Sequence, residues 1–240
     1  MSTVAEQAVF DPARLAVLPA PVARYLAYAL SPGQRIIARA HLRSSGTFAS
    51  KPNAWARFTA EQDVRTEPPE FVWNARIAMM PLVPVRVRDR YVAGEGSMRA
   101  AFAGLVPIVN QHGTPELAAA SLQRFLAEAV WYPTALLLGD GLSWSPIDDR
   151  SARVMLTDGP TAVSLDVTFG SAGEIETVSA MRYRDVKGTP ILTLWVGHHR
   201  DYRRLGGMMI PTSGEVAWVL PTGPEPYWRG RLISATFDWR

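Results

Sequence analysis

The sequence contains no cysteine among its 240 residues. Without thiols the chain can form neither disulfide bonds nor a thiolate nucleophile, and a zinc site built from cysteines is excluded. Lysine is scarce as well, since only Lys51 and Lys187 occur, so arginine carries nearly all of the positive charge. The arginines are spread along the chain, and no nucleic-acid-binding motif is present. We therefore expect no nucleic-acid partner.

Long apolar runs are also missing. No stretch approaches the roughly 18 apolar residues of a membrane-spanning helix, so we expect no membrane span. The first part of the chain includes Glu6, Asp11 and Arg14 and lacks the apolar segment that is typical of a signal peptide. These two absences favour a cytoplasmic location.

The motifs that hold metals, phosphates or nucleotides are absent too. The histidines show no HxH or HExxH spacing, which argues against a metal site. The glycine pairs at 94/96 and 139/141 fit turns rather than a dinucleotide fingerprint, and no GxSxG nucleophile motif occurs. We expect neither a metal nor a cofactor.

The composition that remains is that of a folded domain. Apolar residues make up 48% of the chain and charged residues 20%, as in ordinary globular proteins. A chain of this length can fold as one domain with a large core or an internal pocket. We predict a flexible arm over residues 1–18 and a single β-barrel-like domain over residues 19–240.

Strand patterns dominate that domain. Residues 85–91 alternate so that Val85, Val87, Asp89 and Tyr91 share one face, while three arginines share the other. The sequence predicts a mainly β fold, an antiparallel barrel or half-barrel of about ten strands with one or two helices packed on or in it. The predicted strands cover residues 34–43, 55–65, 71–80, 85–91, 97–110, 152–157, 161–169, 175–183, 191–198, 214–220 and 227–239.

One amphipathic helix is predicted at about residues 115–131, after a shorter helix that begins near Pro19. Thr114 suits the N-cap position and Pro115 the first helical position. Pro133 is expected to end the helix. We expect this helix to plug or line an apolar cavity between the strands, because it carries a wide apolar face: Leu117, Leu122, Phe125, Leu126, Ala129 and Val130.

The same helix carries a motif that resembles a known family. Residues 122–133 contain RxLAExxWxP, and further matching runs occur at residues 18–26, 71–76, 88–96 and 202–211. In this order and spacing the chain resembles an uncharacterised bacterial family classified only as a domain of unknown function. The resemblance implies a β-rich fold similar to the lipoprotein-carrier half-barrels, which enclose a hydrophobic ligand, and it implies no reaction.

Three charged residues are the candidates for catalysis. Glu128 has apolar neighbours on the helix, and a carboxylate in such a place is suited to act as a general acid or base. Arg124 lies one helical turn away and pairs with it in the alternative, structural interpretation. Asp89 points to the apolar face of its strand and therefore needs a partner, which Arg124 or Arg76 could supply.

Aromatic residues and one histidine are the candidates for ligand binding. Most aromatic rings in a domain of this size belong to the core, but some could form the wall of a pocket for a flat or greasy ligand. In the pair His198–His199, strand alternation directs one ring inward, although a solvated loop is the simpler interpretation. The predicted ligand-binding residues are Trp73, Tyr91, Trp131, Tyr132, Trp195, His199, Tyr202 and Trp218.

Two functions are compatible with such a pocket. The first is a cofactor-independent enzyme that acts by acid/base catalysis on a hydrophobic small molecule, as a cyclase, isomerase, dehydratase or epoxide-opening enzyme does. The alternative is a non-catalytic protein that binds a lipid or another hydrophobic metabolite. A structural domain with a filled interior is a third possibility. In the first two cases the partner is a hydrophobic small molecule, and the protein is a monomer or a homodimer.

Overall fold

The computed structural model describes residues 8–80, 83–137 and 139–240. Two α-helices occur in this part of the chain, α1 (Ala20–Ala29) and α2 (Pro115–Glu128). Its strands are β1 (Ile37–Ala49), β2 (Trp55–Arg65), β3 (Glu70–Met80), β4 (Val83–Val92), β5 (Glu95–Phe102), β6 (Val106–His112), β7 (Leu142–Asp148), β8 (Ser151–Asp158), β9 (Thr161–Phe169), β10 (Ile175–Val186), β11 (Thr189–Leu205), β12 (Met208–Leu220) and β13 (Gly223–Trp239).

All of these strands belong to one antiparallel sheet with the order β6-β5-β4-β3-β2-β1-β13-β12-β11-β10-β9-β8-β7. Neighbouring strands follow one another in the chain except at the junction of β1 and β13. The sheet therefore consists of two meandering arms, β1–β6 and β7–β13, which join at that junction. Helix α2 connects the two outer strands, β6 and β7, and so must cross from one arm to the other.

The mainly β, antiparallel architecture confirms the coarse prediction, but the strand number does not. The sheet formed by the described residues has thirteen strands rather than about ten. Residues 97–110, predicted as one strand, are split into β5 and β6 because Ala103 and Gly104 adopt positive φ angles and form a turn. Strand β7 was missed, since its exposed and polar residues do not alternate with buried ones.

The concave face of the sheet holds the core. In β2, Phe58, Ala60 and Val64 are buried at every second or fourth position, as expected when one face of a strand is covered. Helix α2 lies on this face against β4, β5, β9 and β10. The arms also meet directly, because the Tyr91 hydroxyl donates a hydrogen bond to Asp158 Oδ2 at 2.6 Å.

The α-helix ends earlier in the sequence than predicted. The α-helical conformation ends at Glu128, and a 3₁₀ turn, Ala129–Trp131, replaces its last part. Of the predicted arm, residues 1–7 lie outside the described residues. In its remaining part Phe10 is buried and a 3₁₀ helix spans Pro12–Val17. Within the described residues no helix is long and apolar enough to cross a membrane.

Close contact between β5 and α2 fixes the position of the helix, and it depends on Gly96. A Cβ atom at Gly96 would lie 2.6 Å from the Leu117 carbonyl oxygen and 2.8 Å from Ser121 Oγ. We expect Gly96→Ala to lower the free energy of unfolding by about 1–3 kcal/mol, because the helix backbone must move away. Gly139→Ala is the control, since a Cβ there meets no atom closer than 4.0 Å. Urea unfolding measures both; equal changes in the two variants would contradict this role.

Candidate functional site

The structure brings the three predicted catalytic residues together. Arg124 lies on α2 and donates from Nε to Glu128 Oε1 at 2.8 Å, one helical turn away. From Nη1 it donates to Asp89 Oδ2, on β4, at 2.6 Å. The inward direction predicted for Asp89 is therefore found, and Arg124, not Arg76, is its partner. Arg76 lies in an exposed position. We call Arg124, Glu128 and Asp89 the buried charge cluster.

Neighbouring side chains contact both Glu128 and Arg124 of this cluster. The Gln62 side-chain amide donates to Glu128 Oε2 at 2.6 Å. The guanidinium of Arg124 lies over two rings, at 5.1 Å from the centre of Phe71 and 4.9 Å from that of Trp73, a favourable cation–π arrangement. Burial alone would lower the pKa of Arg124. The charges of Glu128 and Asp89 raise the pKa by more than burial lowers it, so it lies above its ordinary value. Arg124 is thus a permanent cation.

On its other side α2 is bound to the second arm. The Gln123 amide donates to two backbone oxygens, to Met181 O at 3.1 Å and to Ser164 O at 3.4 Å. Arg182 on β10 donates to the Ala120 carbonyl oxygen at 2.7 Å, and its guanidinium lies 4.7 Å from the centre of the Trp195 ring. Burial lowers the pKa of Arg182. Polar side chains therefore connect α2 to both arms of the sheet.

These contacts show what the buried charge cluster does structurally. Both oxygens of Glu128 already accept hydrogen bonds, one from Arg124 and one from Gln62. Asp89 Oδ1 is buried without a hydrogen-bond partner, whereas Oδ2 binds Arg124. Through these hydrogen bonds Glu128 connects α2 to β2, and Asp89 connects β4 to α2.

The predicted ligand-binding residues do not line one common pocket. Five of them are buried in the core: Trp73, Tyr91, Trp131, Tyr132 and Trp195. The polar atoms of four have internal partners. The Tyr91 hydroxyl donates to Asp158 Oδ2, Trp131 Nε1 to Pro211 O, the Tyr132 hydroxyl to Phe125 O, and Trp195 Nε1 to the Tyr227 hydroxyl. The other three are half-buried and lie in two separate places, Trp218 in one and His199 with Tyr202 in the other.

Trp218 belongs to a group of half-buried rings on the concave face, near the β1–β2 and β12–β13 hairpins. Its ring stacks on that of Tyr227 with centres 5.7 Å apart and an angle of 17°, and Tyr227 contacts Phe48 at 6.2 Å. Trp228 is paired with Phe48 across the β1–β13 junction. We call these four residues the aromatic floor. Sequence reasoning did not select Phe48, Tyr227 or Trp228, because only the register between β1, β12 and β13 brings them together.

His199 occupies a different position, at the edge of the ring cluster that includes Trp131. The two rings meet edge to face, with centres 6.5 Å apart. Both ring nitrogens of His199 are buried and have no hydrogen-bond partner. Burial first, and the neighbouring His198 second, lower the pKa of His199 to about 4. The imidazole is therefore neutral at pH 7.

We expect Arg124→Met to destabilise the fold by about 3–5 kcal/mol, because Asp89 and Glu128 would remain buried without their cation. Arg153→Met is the control. Arg153 also binds a carboxylate, at 2.6 Å to Asp166, but both side chains are largely exposed, so its loss should cost less than about 1 kcal/mol. Chemical denaturation of both variants gives the comparison. A loss at Arg124 as small as that at Arg153 would show that the cluster does not hold α2.

The low pKa of His199 predicts a pH dependence of stability. The folded chain takes up this proton only near pH 4, whereas an unfolded histidine does so near its ordinary value of 6.5. Stability contributed by the neutral ring is therefore complete above about pH 6.5 and is lost as the pH falls toward 4, by on the order of 2–3 kcal/mol. Unfolding free energies at pH 7.5 and 5 should differ less in His199→Gln than in the wild type. In His198→Gln the difference should persist; if it vanishes there instead, His199 is not its source.

The chain is similar to a protein family and to some solved structures. One solved structure that this chain is similar to is a LolA superfamily protein from Nitrosomonas europaea, with 12% identity, a TM-score of 0.34, and coverage of 91% of this chain and 92% of that one. Another is a beta-barrel-like protein of the domain of unknown function DUF1849 from Brucella abortus, with 9% identity, a TM-score of 0.25, and coverage of 85% and 99%. A search of curated proteins finds no significant match. The family model for DUF6920, a family of unknown function, matches residues 16–237, and the chain therefore belongs to the DUF6920 family.

Proposed function

We propose that the protein binds a hydrophobic small molecule on the aromatic floor and does so without catalysis. The observation that carries this proposal is the half-buried state of Phe48, Trp218, Tyr227 and Trp228, which lie next to one another at the border of the buried core. Large aromatic surfaces that stay partly open on a concave face are typical of sites for apolar ligands.

The backbone beneath the floor supports this assignment. Gly230 and Gly214 lie side by side on β13 and β12. A Cβ at Gly230 would lie 2.2 Å from the Trp228 ring, and one at Gly214 would lie 3.6 Å from it. Gly230 therefore lets the indole lie close against the strand, whereas at Gly214 a Cβ would make only an ordinary contact with the ring. Such a flat ring offers a broad apolar contact at a small cost in conformational entropy, since few side-chain torsions are fixed.

The rings of the floor continue into the core. Trp228 contacts Phe58 at 5.8 Å and Trp131 at 6.4 Å between ring centres, and Phe58 contacts Trp73 at 6.1 Å. These packed rings restrain Trp228, so its position in the floor is fixed before a ligand binds. Preorganisation of this kind favours affinity, because little ordering is left for the binding step.

Binding is preferred over catalysis because of the hydrogen bonds within the buried charge cluster. Neither oxygen of Glu128 is left without a protein donor, and the cluster fastens a helix. The acid/base role of Glu128 remains a prediction, which turnover of a substrate by Glu128→Gln would contradict.

The binding test uses N-phenyl-1-naphthylamine, a neutral probe that fluoresces in apolar surroundings. We expect wild-type protein to bind it and Trp218→Ala to bind it roughly tenfold more weakly, because a ring contact of about 1.5 kcal/mol is lost. Trp55→Ala is the control: Trp55 also lies near the β1–β2 hairpin, but its ring lies beneath Arg229, 4.5 Å from the guanidinium carbon, and not on the floor. Absence of binding, or equal losses in both variants, would refute the proposed site.

A further inference from the structure

The face of the β1–β6 arm that points away from the core carries a group of exposed arginines. Arg76 on β3 is directly opposite Arg86 on β4, and Arg88 on β4 is directly opposite Arg99 on β5. Opposed residues of antiparallel strands project from the same side of a sheet, and so do residues two positions apart on one strand. All four side chains are exposed. We call these four residues the arginine patch.

The positive charges of the arginine patch are not balanced. Like charges that face each other across neighbouring strands lower the stability of the sheet. Within the part of the chain that the structure describes, no member of the patch forms an ion pair. The row of opposed residues that contains Arg88 reaches a carboxylate at Glu61, two strands away on β2. Glu61 is itself bound to Arg43, at 3.5 Å.

Elsewhere on the sheet, arginines are balanced by carboxylates. Three of them bind the carboxylate directly opposite on the next strand: Arg43 with Glu61, Arg153 with Asp166 and Arg229 with Glu215. Arg39 is also opposite another arginine, Arg65, but Arg65 binds Glu70. On its other side Arg39 is opposite Asp238. The arginine patch departs from this pattern, so an anionic partner outside the chain would supply the missing charge.

Exposed apolar side chains lie at one end of the same arm. In the turn between β5 and β6 and in β6 itself, Leu105 is 84% exposed, Val106 61% and Ile108 48%. The Ala103 amide donates to the Pro84 carbonyl oxygen at 3.0 Å, so this turn lies beside the start of β4. We call Leu105, Val106 and Ile108 the apolar tip.

The arginine patch and the apolar tip are neighbours. A Cβ atom at Gly104 would lie 3.1 Å from Arg86 Cδ, so the Arg86 side chain lies against the turn that carries Leu105. The two features therefore form one continuous surface at the end of the arm where β4 begins and β5 ends.

This combination fits the surface of a membrane that contains anionic lipids. Apolar side chains enter such a surface below the headgroups, while arginines bind the lipid phosphates. A nucleic acid would also attract the arginines, but it offers no apolar layer to the tip. Neither feature includes an aromatic ring on which a base could stack.

We propose that this end of the β1–β6 arm binds the surface of membranes that contain anionic phospholipid. The apolar tip lies below the headgroups and the arginine patch lies against the phosphates. This surface is separate from the aromatic floor and shares no residue with it. Its test is therefore independent of the ligand binding proposed above.

Sedimentation with sucrose-loaded vesicles tests the proposal on the wild-type protein. We expect binding to phosphatidylcholine vesicles that contain about 30% phosphatidylglycerol, and binding at least about tenfold weaker to pure phosphatidylcholine. About 0.5 M NaCl should release most of the bound protein, because salt screens the charges. Equal binding to the two kinds of vesicle would contradict the proposal. Tighter binding to single-stranded DNA than to the anionic vesicles would assign the surface to nucleic acid instead.

Paired variants test the arginine patch. The double variant Arg88→Gln, Arg99→Gln should bind anionic vesicles at least about tenfold more weakly, because each arginine near such a surface adds to the attraction. The double variant Arg203→Gln, Arg231→Gln is the control. It removes two charges from exposed positions on β11 and β13 and should weaken binding less than about threefold. Equal losses would show that net charge and not the patch attracts the vesicles, and the proposal would fail.

A fluorescent label tests the position of the apolar tip. Because the chain contains no cysteine, Leu105→Cys provides a single thiol for nitrobenzoxadiazole, whose emission rises in apolar surroundings. With anionic vesicles we expect the emission to rise at position 105. It should not rise in the control Ile233→Cys, which places the label on β13 at another exposed apolar residue, 61% exposed. Unchanged emission at position 105 in protein that sediments with the vesicles would overturn the proposal.

Discussion

The fold depends on a single connection, the crossing of α2 from one arm of the sheet to the other. The concave face is apolar and could not remain open to water. Helix α2 covers it together with α1, whose Val22, Tyr25 and Leu26 are fully buried in the same core. An apolar helix face alone would allow the helix to slide, because dispersion contacts have little directional preference. Arg124 fixes its position by binding Asp89 on β4 and Glu128 on its own helix. Gln123 and Arg182 fix the opposite side against β9 and β10.

This arrangement explains why charges are found inside an apolar interior. A buried ion pair adds little net stability over well-packed apolar residues, because both ions lose their hydration. The buried ion pairs instead specify the orientation of α2, because the guanidinium must bind two carboxylates that lie on two different elements. Rings above and beside it, Phe71 and Trp73, limit the positions it can take. The RxLAExxWxP motif therefore encodes the docking of α2: its Arg and Glu belong to the buried charge cluster, and its Trp131 binds Pro211 on β12.

Local patterns in the sequence predicted most of the elements, but not the contacts between them. The alternation around Asp89 correctly placed that residue inward, and Thr114 caps α2 as its type suggests. The turn at Ala103 was not predicted, because alanine rarely adopts a positive φ. The aromatic floor could not be predicted from the sequence, for a different reason. Phe48 and Trp228 are 180 residues apart, and nothing in either segment indicates the β1–β13 register that pairs them.

The pairing of strand β10 with its two neighbours is incomplete at both ends. It loses one neighbour at each end, since β9 pairs with it only up to Ser179 and β11 only from Thr177 onward. In the first gap, the Gln123 side-chain amide donates to the carbonyl oxygens of Ser164 and Met181. In the second gap, the Tyr202 hydroxyl of β11 donates a hydrogen bond to the Ile175 carbonyl oxygen of β10. The first gap is thus bridged by an amide of α2 and the second by a tyrosine of β11, so both ends of β10 stay attached to the rest of the domain although each has lost a strand neighbour.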